Sequence, residues 1–268
     1  MIGIVIATIL KDDEYLNKLI KLISKCEDQY RCIIINQNDN KILKNFSINI
    51  QVKNVNFKNN SNAKNIGYDY FTKDKEVNYI WFLDDDCYLD FSDFNEIYNQ
   101  IYNNKKILKY NFFLIQIKNY NNKIVGARIF ELGFLNFLFL FRVGGPSVII
   151  RKDIIRYQFK NILGPGTKLR SSEDIDFHLS NFDLKVRLLK NVYITHPNES
   201  FNYYKFIRYS YGQGRMFKDL SLLKKIIFIN ISFYRPILAF CMYTLINHKN
   251  KYLYLKRIIA FYRGFKRY

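Results

Sequence analysis

Apolar and polar positions along the first hundred residues predict strands and helices that follow one another in a regular order. Apart from residues 50–55, the predicted strands are continuous apolar runs, as expected for strands covered on both faces, and the first predicted helix repeats apolar residues every three or four positions. The order is strand, helix, strand, strand, helix, strand, helix, over residues 3–8, 14–25, 32–35, 50–55, 62–71, 79–83 and 91–103. This pattern predicts an α/β domain whose mainly parallel sheet is joined by crossover helices.

The second hundred residues predict a mixed continuation of the same domain. Strands are expected over 112–118 and 146–151, then a helix over 174–181 and a strand over 192–195. Residues 132–141 (LGFLNFLFLF) form a conspicuously apolar segment. Two interpretations stay open for it: a helix packed on the core, or an exposed flap that contacts lipid or a lipid-linked acceptor.

The charge of the chain is concentrated in its last quarter. The 268 residues carry 42 Lys and Arg against 23 Asp and Glu, a net charge of +19. Residues 201–268 hold fourteen of these cations and a single acid, Asp219, among many aromatic residues. Such a mixture is typical of a bilayer interface and also of single-stranded nucleic acid sites. We therefore expect a domain of residues 1–200 and a basic, aromatic-rich helical segment of residues 201–268 that associates with an anionic membrane surface.

Composition limits the other classes of protein. An apolar content of 49% excludes extended disorder. The longest apolar stretch, 226–246, is interrupted by Arg235 and Pro236, so each half is shorter than the roughly 20 residues of a membrane span. A re-entrant or surface-lying helix pair is expected there. The N-terminal apolar run lacks a basic flank and the four cysteines lack metal spacing, which together favour a cytoplasmic protein with reduced thiols.

Three consecutive acids, Asp84, Asp85 and Asp86, follow a predicted buried strand directly. Adjacent carboxylates repel one another, so at the mouth of a parallel sheet they are costly unless a cation neutralises them. Mg²⁺ or Mn²⁺ would take carboxylate oxygens there and share its remaining positions with a diphosphate. The alternative is a charged, solvated turn without a ligand.

A second acidic motif, Glu173 and Asp174, follows Ser171 and Ser172 at the start of a predicted helix. A serine would cap this helix, and acids in the first turn complement its dipole, which is a purely structural explanation. A glycine-rich turn over 164–166 lies just upstream and could present one carboxylate to a pocket. A carboxylate beside a sugar hydroxyl can act as a general base.

In this order, the motifs resemble those of the family 2 glycosyltransferases, which are inverting enzymes of the GT-A fold. The resemblance covers residues 2–197. It is carried by Ala7-Thr8 at the end of the first strand, Ala63-Lys64-Asn65-Ile66-Gly67, the Asp-x-Asp motif Asp84-Asp85-Asp86, Val143-Gly144-Gly145, the Glu-Asp motif Glu173-Asp174, and His196 after the last strand. The fold class it implies is a nucleotide-diphospho-sugar transferase of GT-A type with a C-terminal basic helical extension.

The resemblance also implies a role for each matching residue. Donor nucleotide and diphosphate contacts fall to Thr8, Asn36, Asp39, Lys64, Asp84 and Asp85. Metal ligation falls to Asp84, Asp86 and His196, with a structural histidine as the alternative for the last. Sugar contacts are assigned to Gly144 and Gly145. Beyond the resemblance, the segment with Arg208, Tyr209, Tyr211 and Arg215 is itself expected to form a turn that closes over the diphosphate, or a basic surface turn. Asp174 would deprotonate the acceptor hydroxyl, and Glu173 would orient the acceptor.

The sequence thus predicts a metal-dependent inverting glycosyltransferase that uses Mn²⁺ or Mg²⁺ and a nucleotide-sugar, with UDP-sugar as the first choice. Its acceptor would be a glycan or lipid-linked precursor of a bacterial surface polysaccharide or lipooligosaccharide, met at the inner face of the cell membrane. Rival interpretations are a nucleic-acid-binding or nuclease-like protein, a nucleotidyltransferase and a non-catalytic membrane scaffold. A nucleic-acid-binding protein leaves both acidic motifs without a purpose.

Overall fold

A computed structural model describes residues 1–10, 13–38, 43, 46–103, 109–124, 128–197, 203–230, 234–246 and 251–267. Its centre is a seven-stranded sheet of order β3-β2-β1-β4-β6-β5-β7. The strands are β1 Ile2–Thr8, β2 Tyr30–Asn36, β3 Ile50–Asn54, β4 Tyr79–Asp84, β5 Phe112–Lys118, β6 Val148–Arg151 and β7 Val186–Thr195. Only β6 runs antiparallel to its neighbours, β4 and β5, so the predicted mixed and mainly parallel sheet is confirmed.

The helices fall close to their predicted positions in the first 180 residues. They are α1 Asp13–Ser24, α2 Asn60–Thr72, α3 Phe91–Tyr102 and α4 Glu173–Ser180. Asn59 caps α2, since its side chain accepts a hydrogen bond from the backbone of Asn62 at 3.0 Å. The last strand, β7, begins six residues before its predicted start. Its first half contains the charged residues Arg187 and Lys190, so it is not a continuous apolar run, and its pairing with β5 shifts register between Leu114 and Gln116.

Two apolar layers cover the two faces of the sheet. Alternate residues of β1 divide between them, with Ile4 and Ile6 on one face and Val5 on the other. The helices α1 and α3 cover the first face, whereas α2 and α4 cover the second. Gly67 lets α2 approach the sheet closely, because a Cβ atom there would lie 2.3 Å from the side chain of Val5.

The apolar segment 132–141 contains a 3₁₀ helix, Gly133–Phe141. Phe139, Leu140 and Phe141 are buried in the second core layer, so the packing interpretation is confirmed for this half. Phe134, at the other end, is 81% exposed. Two more short 3₁₀ turns, Gly145–Ser147 and Lys152–Ile154, flank β6.

Four helices complete the chain: α5 Tyr203–Asp219, α6 Leu222–Phe228, α7 Tyr234–Leu245 and α8 Lys251–Arg267. Helices α5 and α6 share the core of the sheet through Met216 and Phe228, which are completely buried. Helices α5 and α8 pack closely, since a Cβ atom on Gly214 would lie 2.0 Å from the Phe261 carbonyl oxygen. Among the described residues, no helix has both the length and the apolar content to cross a membrane.

Candidate active site

The carboxyl ends of the parallel strands meet at one edge of the sheet, above which lies a cavity of about 630 Å³. Ligands of open α/β sheets bind at this edge. The loop of residues 161–166 forms one wall of the cavity. Two hydrogen bonds fix this loop to α2: the backbone N–H of Asn60 donates to the Pro165 carbonyl at 3.0 Å, and the Ser61 hydroxyl donates to the Leu163 carbonyl at 2.7 Å. The lining residues are Ala7, Ile9, Gln37, Lys58, Asn59, Asn60, Asp84, Asp85, Asp86, Pro165, Gly166, Arg170, Glu173, Asp174, His196 and Tyr209.

The acidic turn after β4 joins three strand ends. Asp84 is the last residue of β4, and the Asp85 carboxylate accepts a hydrogen bond from the Thr8 hydroxyl at the end of β1. His196 follows β7, and its Nε2 lies 3.2 Å from Asp86 Oδ1. The pKa of His196 is raised to about 9, because the hydrogen bond and charge of Asp86 outweigh the effect of burial. The sequence motif therefore becomes a three-dimensional cluster only when the fold brings β1, β4 and β7 together.

The cluster fits a divalent cation. Asp84, Asp86, Cys87 and His196 bring their potential ligand atoms within 4.8 Å of one another. Burial raises the pKa of the Cys87 thiol well above its usual value, so the thiol stays protonated and is a poor ligand. The remaining two carboxylates and one imidazole are a donor set that suits Mn²⁺ or Mg²⁺. A cation bound there would displace the proton of His196.

The second acidic motif opens α4 from a strained turn. Ser172, the residue before the helix, has φ 72°, a left-handed conformation that side chains other than glycine rarely adopt. Such strain persists where the surroundings impose it. Here the Ser171 hydroxyl donates to the Tyr209 carbonyl of α5 at 2.9 Å, and a Cβ atom on Gly212 would lie 2.4 Å from that hydroxyl. Helix α5 thus fixes the turn that presents Glu173 and Asp174.

Lys64 of α2 is the counter-ion of these acids. Its Nζ donates to Asp174 Oδ1 at 2.6 Å, and its side chain is only 3% exposed. The ammonium group also lies 5.2 Å from the centre of the Phe159 ring. Burial alone would lower its pKa, but the charges of Asp174, Asp84 and Glu173 raise it, so the lysine stays charged.

The same charges separate the pKa values of the carboxyl groups. Burial and the charge of Asp174 raise the pKa of Glu173 to about 7, and burial raises that of Asp84 to about 7. Burial also acts on Asp174, but Lys64 outweighs it and holds the pKa of this carboxyl below its usual value. Neighbouring groups with divergent pKa values mark acid and base roles, and Asp174 is the one that stays ionised.

Most residues singled out from the sequence lie at this edge of the sheet. Gly144 and Gly145 lie against Asp174: a Cβ atom on Gly145 would lie 2.9 Å from Asp174 Oδ1, and one on Gly144 would lie 3.8 Å from its other oxygen. Asn36 is buried beneath the cavity and donates to Asn54 at 2.7 Å, while its neighbour Gln37 lines the cavity. Asp39 lies outside the described residues.

Arg215 lies apart from this group. It is on α5, where it donates to Asp219 at 2.7 Å, and it does not line the cavity. Asp219 also accepts from Lys160 at 2.7 Å, and Lys160 in turn donates to Asp176 of α4 at 2.9 Å. This network ties α5 to α4 behind the site.

Sequence reasoning missed two cations of the cavity, whereas Tyr209 was expected near the donor, in a segment predicted as a turn that is part of helix α5 in the structure. Lys58 and Arg170 line the cavity, and each lies close in sequence to a motif: Lys58 precedes the cap of α2, and Arg170 precedes Ser171. Tyr209 lines it from α5. Their sequence positions could have indicated both cations, because Lys58 and Arg170 lie next to the turns that carry Asn59 and Glu173.

Comparison with known proteins agrees with this geometry. The sequence profile described as glycosyl transferase family 2 matches residues 4–158, and no curated protein sequence matches the chain. Crystal structures of residues 1–349 of TarS from S. aureus are similar at 14% sequence identity over 81% of their chains. The first superposes on 99% of this chain with a TM-score of 0.62, and a complex with UDP-GlcNAc superposes on 98% with a TM-score of 0.65. The predicted GT-A fold is confirmed, and the chain belongs to glycosyl transferase family 2 and is a glycosyltransferase.

Proposed function

We propose that the protein transfers a sugar from a UDP-sugar to a glycan or lipid-linked acceptor, in a metal-dependent reaction that inverts the anomeric centre. One observation carries the proposal. An ionised carboxylate, Asp174, paired with the buried Lys64, lines the same cavity as the metal-fitting cluster of Asp84, Asp86 and His196. A base and an electrophilic site on opposite sides of a bound sugar are what a single displacement requires.

The donor is supported by the cavity and by one structural relative. The S. aureus TarS structures include complexes with UDP-GlcNAc and with UDP. In the present chain, Lys58 and Arg170 place two cations on the cavity wall, and a diphosphate is the part of a nucleotide-sugar that requires them. The side chains at the ends of β1 and β2, Thr8, Asn36 and Gln37, would hold the nucleoside end.

The residues that would hold the metal are Asp84, Asp86 and His196. A divalent cation bound there supplies positive charge to the leaving diphosphate, acting as a Lewis acid. Asp85 serves a different purpose in this arrangement: its carboxylate accepts the Thr8 hydroxyl and so joins the acidic turn to the end of β1.

Asp174 would take the proton of the acceptor hydroxyl as its oxygen attacks the anomeric carbon. The bond from that carbon to the leaving diphosphate oxygen breaks on the other side, so the product has inverted configuration. Glu173, whose pKa is raised to about 7 by burial and by the charge of Asp174, can donate or accept a hydrogen bond at neutral pH. It would orient an acceptor hydroxyl beside Asp174.

The acceptor class and the site of action follow from the C-terminal quarter. We place the enzyme at the inner face of a bacterial cell membrane, held there by residues 201–268, with residues 1–200 as the catalytic domain. The abundance of cations over acids in residues 201–268 supports this placement.

Isothermal titration of UDP tests the donor and metal assignments together. With Mn²⁺ present, we expect wild type to bind UDP and Asp86→Ala to bind it on the order of a hundredfold more weakly, because a ligand of the metal is lost. Asp28→Ala, which removes an exposed acid elsewhere, is the control and keeps wild-type affinity. Binding that is equal with Mn²⁺ and with a chelator contradicts the metal assignment. No binding of UDP by a folded wild-type protein contradicts the donor.

A further inference from the structure

The last three helices each carry an apolar stripe that faces solvent. On α7 every described side chain is exposed or half-buried. The apolar residues of each stripe recur every three or four positions, as one face of a helix requires. The stripes consist of Leu222, Leu223, Ile226 and Ile229 on and after α6, Tyr234, Ile237, Leu238, Met242 and Leu245 on α7, and Tyr252, Leu255, Ile259 and Tyr262 on α8.

This amount of exposed apolar surface is unusual for one quarter of a water-soluble chain. Leu245 is 86% exposed and Leu222 is 76% exposed, whereas scattered exposed leucines on a monomer are normally isolated from one another. The helices belong to one packed unit, since α7 packs on α8, α8 packs on α5, and the Phe228 ring of α6 stacks on the Phe261 ring of α8 with the ring centres 6.4 Å apart. Three adjacent stripes thus indicate a surface that something else covers.

Charge identifies the kind of partner. From residue 221 to the end of the chain there are ten Lys and Arg and no Asp or Glu. On α8 the exposed Lys256, Arg263 and Lys266 lie next to residues of the apolar stripe, and Lys266 lies 5.1 Å from the centre of the Tyr262 ring. Helices with apolar residues on one side, flanked by Lys, Arg and Tyr, lie in the headgroup region of anionic bilayers.

The length of α7 is too short for a membrane span, and the charge of the face disfavours self-association. Helix α7 has 12 residues, a length of about 18 Å, against the roughly 30 Å of a hydrocarbon core. A twofold contact through this face would bring together two surfaces that each hold cations and no acids, and like charges across an interface are repulsive. Protein interfaces are also depleted in Lys, in contrast to this face.

We infer that the exposed face of α6, α7 and α8 docks flat on an anionic lipid bilayer, with the apolar stripes in the headgroup and acyl boundary and the cations of α8 against lipid phosphates. The inference deepens the proposed function, on which it rests for the identity of the acceptor, by naming the surface that brings the enzyme to that acceptor. Because α5 contacts α8 on one side and the Ser171 turn on the other, the docked face and the active site are joined through α5.

Co-sedimentation of the full chain with vesicles tests the face. The vesicles are phosphatidylcholine alone or with a quarter of phosphatidylglycerol. We expect binding to the anionic vesicles, reduced at least about tenfold by the pair Leu238→Ser and Leu245→Ser, since each removes a large apolar side chain from the boundary. The triple charge reversal at Lys256, Arg263 and Lys266 to Glu lowers binding by more than about a hundredfold, at roughly fivefold for each cation lost.

Matched variants elsewhere on the surface show whether the loss of vesicle binding is specific to this face or follows from any loss of exposed cations or apolar side chains. Ile48→Ser with Leu184→Ser removes two exposed apolar residues, and Lys21, Lys73 and Lys75 to Glu reverses three exposed cations. Both leave vesicle binding within about threefold of wild type if the inferred face is the docking surface. UDP binding without vesicles is measured for every variant and stays unchanged, which shows that each has folded.

Several outcomes would overturn the inference. One is equal loss of binding in the matched variants, and another is a wild-type protein that ignores anionic vesicles. A third is dimerisation in lipid-free buffer that the Leu238 and Leu245 pair abolishes, since the face would then belong to a second copy. A fourth is tight oligonucleotide binding that the charge reversal removes and the serine pair leaves intact, combined with no vesicle binding. If the wild-type protein binds anionic vesicles but does not bind UDP, the proposed function is refuted and the inferred docking face is not.

Discussion

At the carboxyl edge of the sheet, charged side chains are buried beside opposite charges, whereas on the C-terminal helices cations and apolar side chains face solvent side by side. Lys64 and Asp174 represent the first region: they are in direct contact, with the lysine side chain 3% exposed and the carboxylate, at the cavity, 18% exposed. Leu245 and Lys256 represent the second, with both exposed. The two regions meet at α5.

The difference shows where each region finds its partner. Burying a charge costs a large desolvation free energy unless a counter-ion lies beside it. Because Lys64 and Asp174 already form such a pair, the site is organised before substrate binds. An exposed apolar stripe costs free energy in water until another surface covers it. The proposed function thus requires only a small anionic ligand at the sheet edge, whereas the inferred docking covers the C-terminal face with an extended surface.

The sharpest test of the sheet edge is Asp174→Asn, which keeps the shape of the side chain and removes the base. We expect kcat to fall about a thousandfold or more, because a positioned base contributes on the order of 10²–10⁴ to the rate. UDP affinity should change by less than about threefold, since the metal cluster is untouched. Transfer of labelled sugar and titration of UDP measure the two quantities.

Asp176→Asn is the matched control, because Asp176 is on the same helix and is buried and ion-paired with Lys160, but it does not line the cavity. It should lower the midpoint of thermal unfolding and leave kcat within about threefold. Equal loss of kcat in both variants would mean that stability of α4, rather than the base, sets the rate.

Much of the fold was predictable because buried parallel strands are unbroken apolar runs. The strand ending in Asp84 is an example, since its five preceding residues are all buried. The first half of β7 was not predictable in this way, because Arg187 and Lys190 interrupt its apolar residues. This half is recognised as a strand by its pairing with β5, which the sequence does not show. The left-handed Ser172 was also invisible, since contacts with α5, far away in sequence, impose it.

The candidate site was predictable as a set of motifs but not as a set of contacts. Asp84, Asp86 and His196 were predicted as metal ligands, and the structure brings their potential ligand atoms together; the roles themselves stay predictions. The pairing of Lys64 with Asp174 was not predictable, because 110 positions separate them and only the packing of α2 beside α4 makes them neighbours. Sequence motifs mark chemistry at strand ends, whereas the partner of each charge depends on tertiary structure.

Lys64→Met sharpens the comparison by removing the buried cation from the sheet edge. Without it, the effect of burial, which raises the pKa of Asp174, is no longer outweighed by the lysine. Because the base must be ionised, activity is lost as pH falls through this pKa, and a higher pKa moves that loss to higher pH. We expect the acid limb of the kcat profile to shift up by at least about one unit, which lowers kcat about tenfold at any pH below both pKa values and leaves the neutral plateau unchanged.

Lys160→Met separates this effect from a loss of stability. Lys160 also holds a buried carboxylate, Asp176, but the pair does not line the cavity. Both variants should unfold at lower temperature, because each leaves a buried charge without its partner. Only the Lys64 variant should move the pH profile, and Lys64→Arg should restore most of it. A pH profile that moves equally in both variants contradicts the assignment.

The smallest expected effect concerns α5, where the two regions meet. In Gly212→Ala the new Cβ atom would lie 2.4 Å from the Ser171 hydroxyl, and in Gly214→Ala it would lie 2.0 Å from the Phe261 carbonyl oxygen. Each forces α5 to shift, at a cost of about 1–3 kcal/mol in unfolding free energy. The shifts act on different neighbours, so the two variants should differ in function although their melting temperatures fall alike.

Gly212→Ala displaces the turn that presents Asp174, so kcat should fall about fivefold while vesicle binding is retained, since a small misplacement of a base weakens catalysis. Gly214→Ala displaces α8 instead, so vesicle binding should weaken while kcat with a soluble acceptor stays within about twofold. If either variant impairs both functions equally, the sheet edge and the C-terminal face respond as one cooperative unit. If the effects separate as expected, α5 joins two regions that act independently, because its contact with each is made at a different glycine.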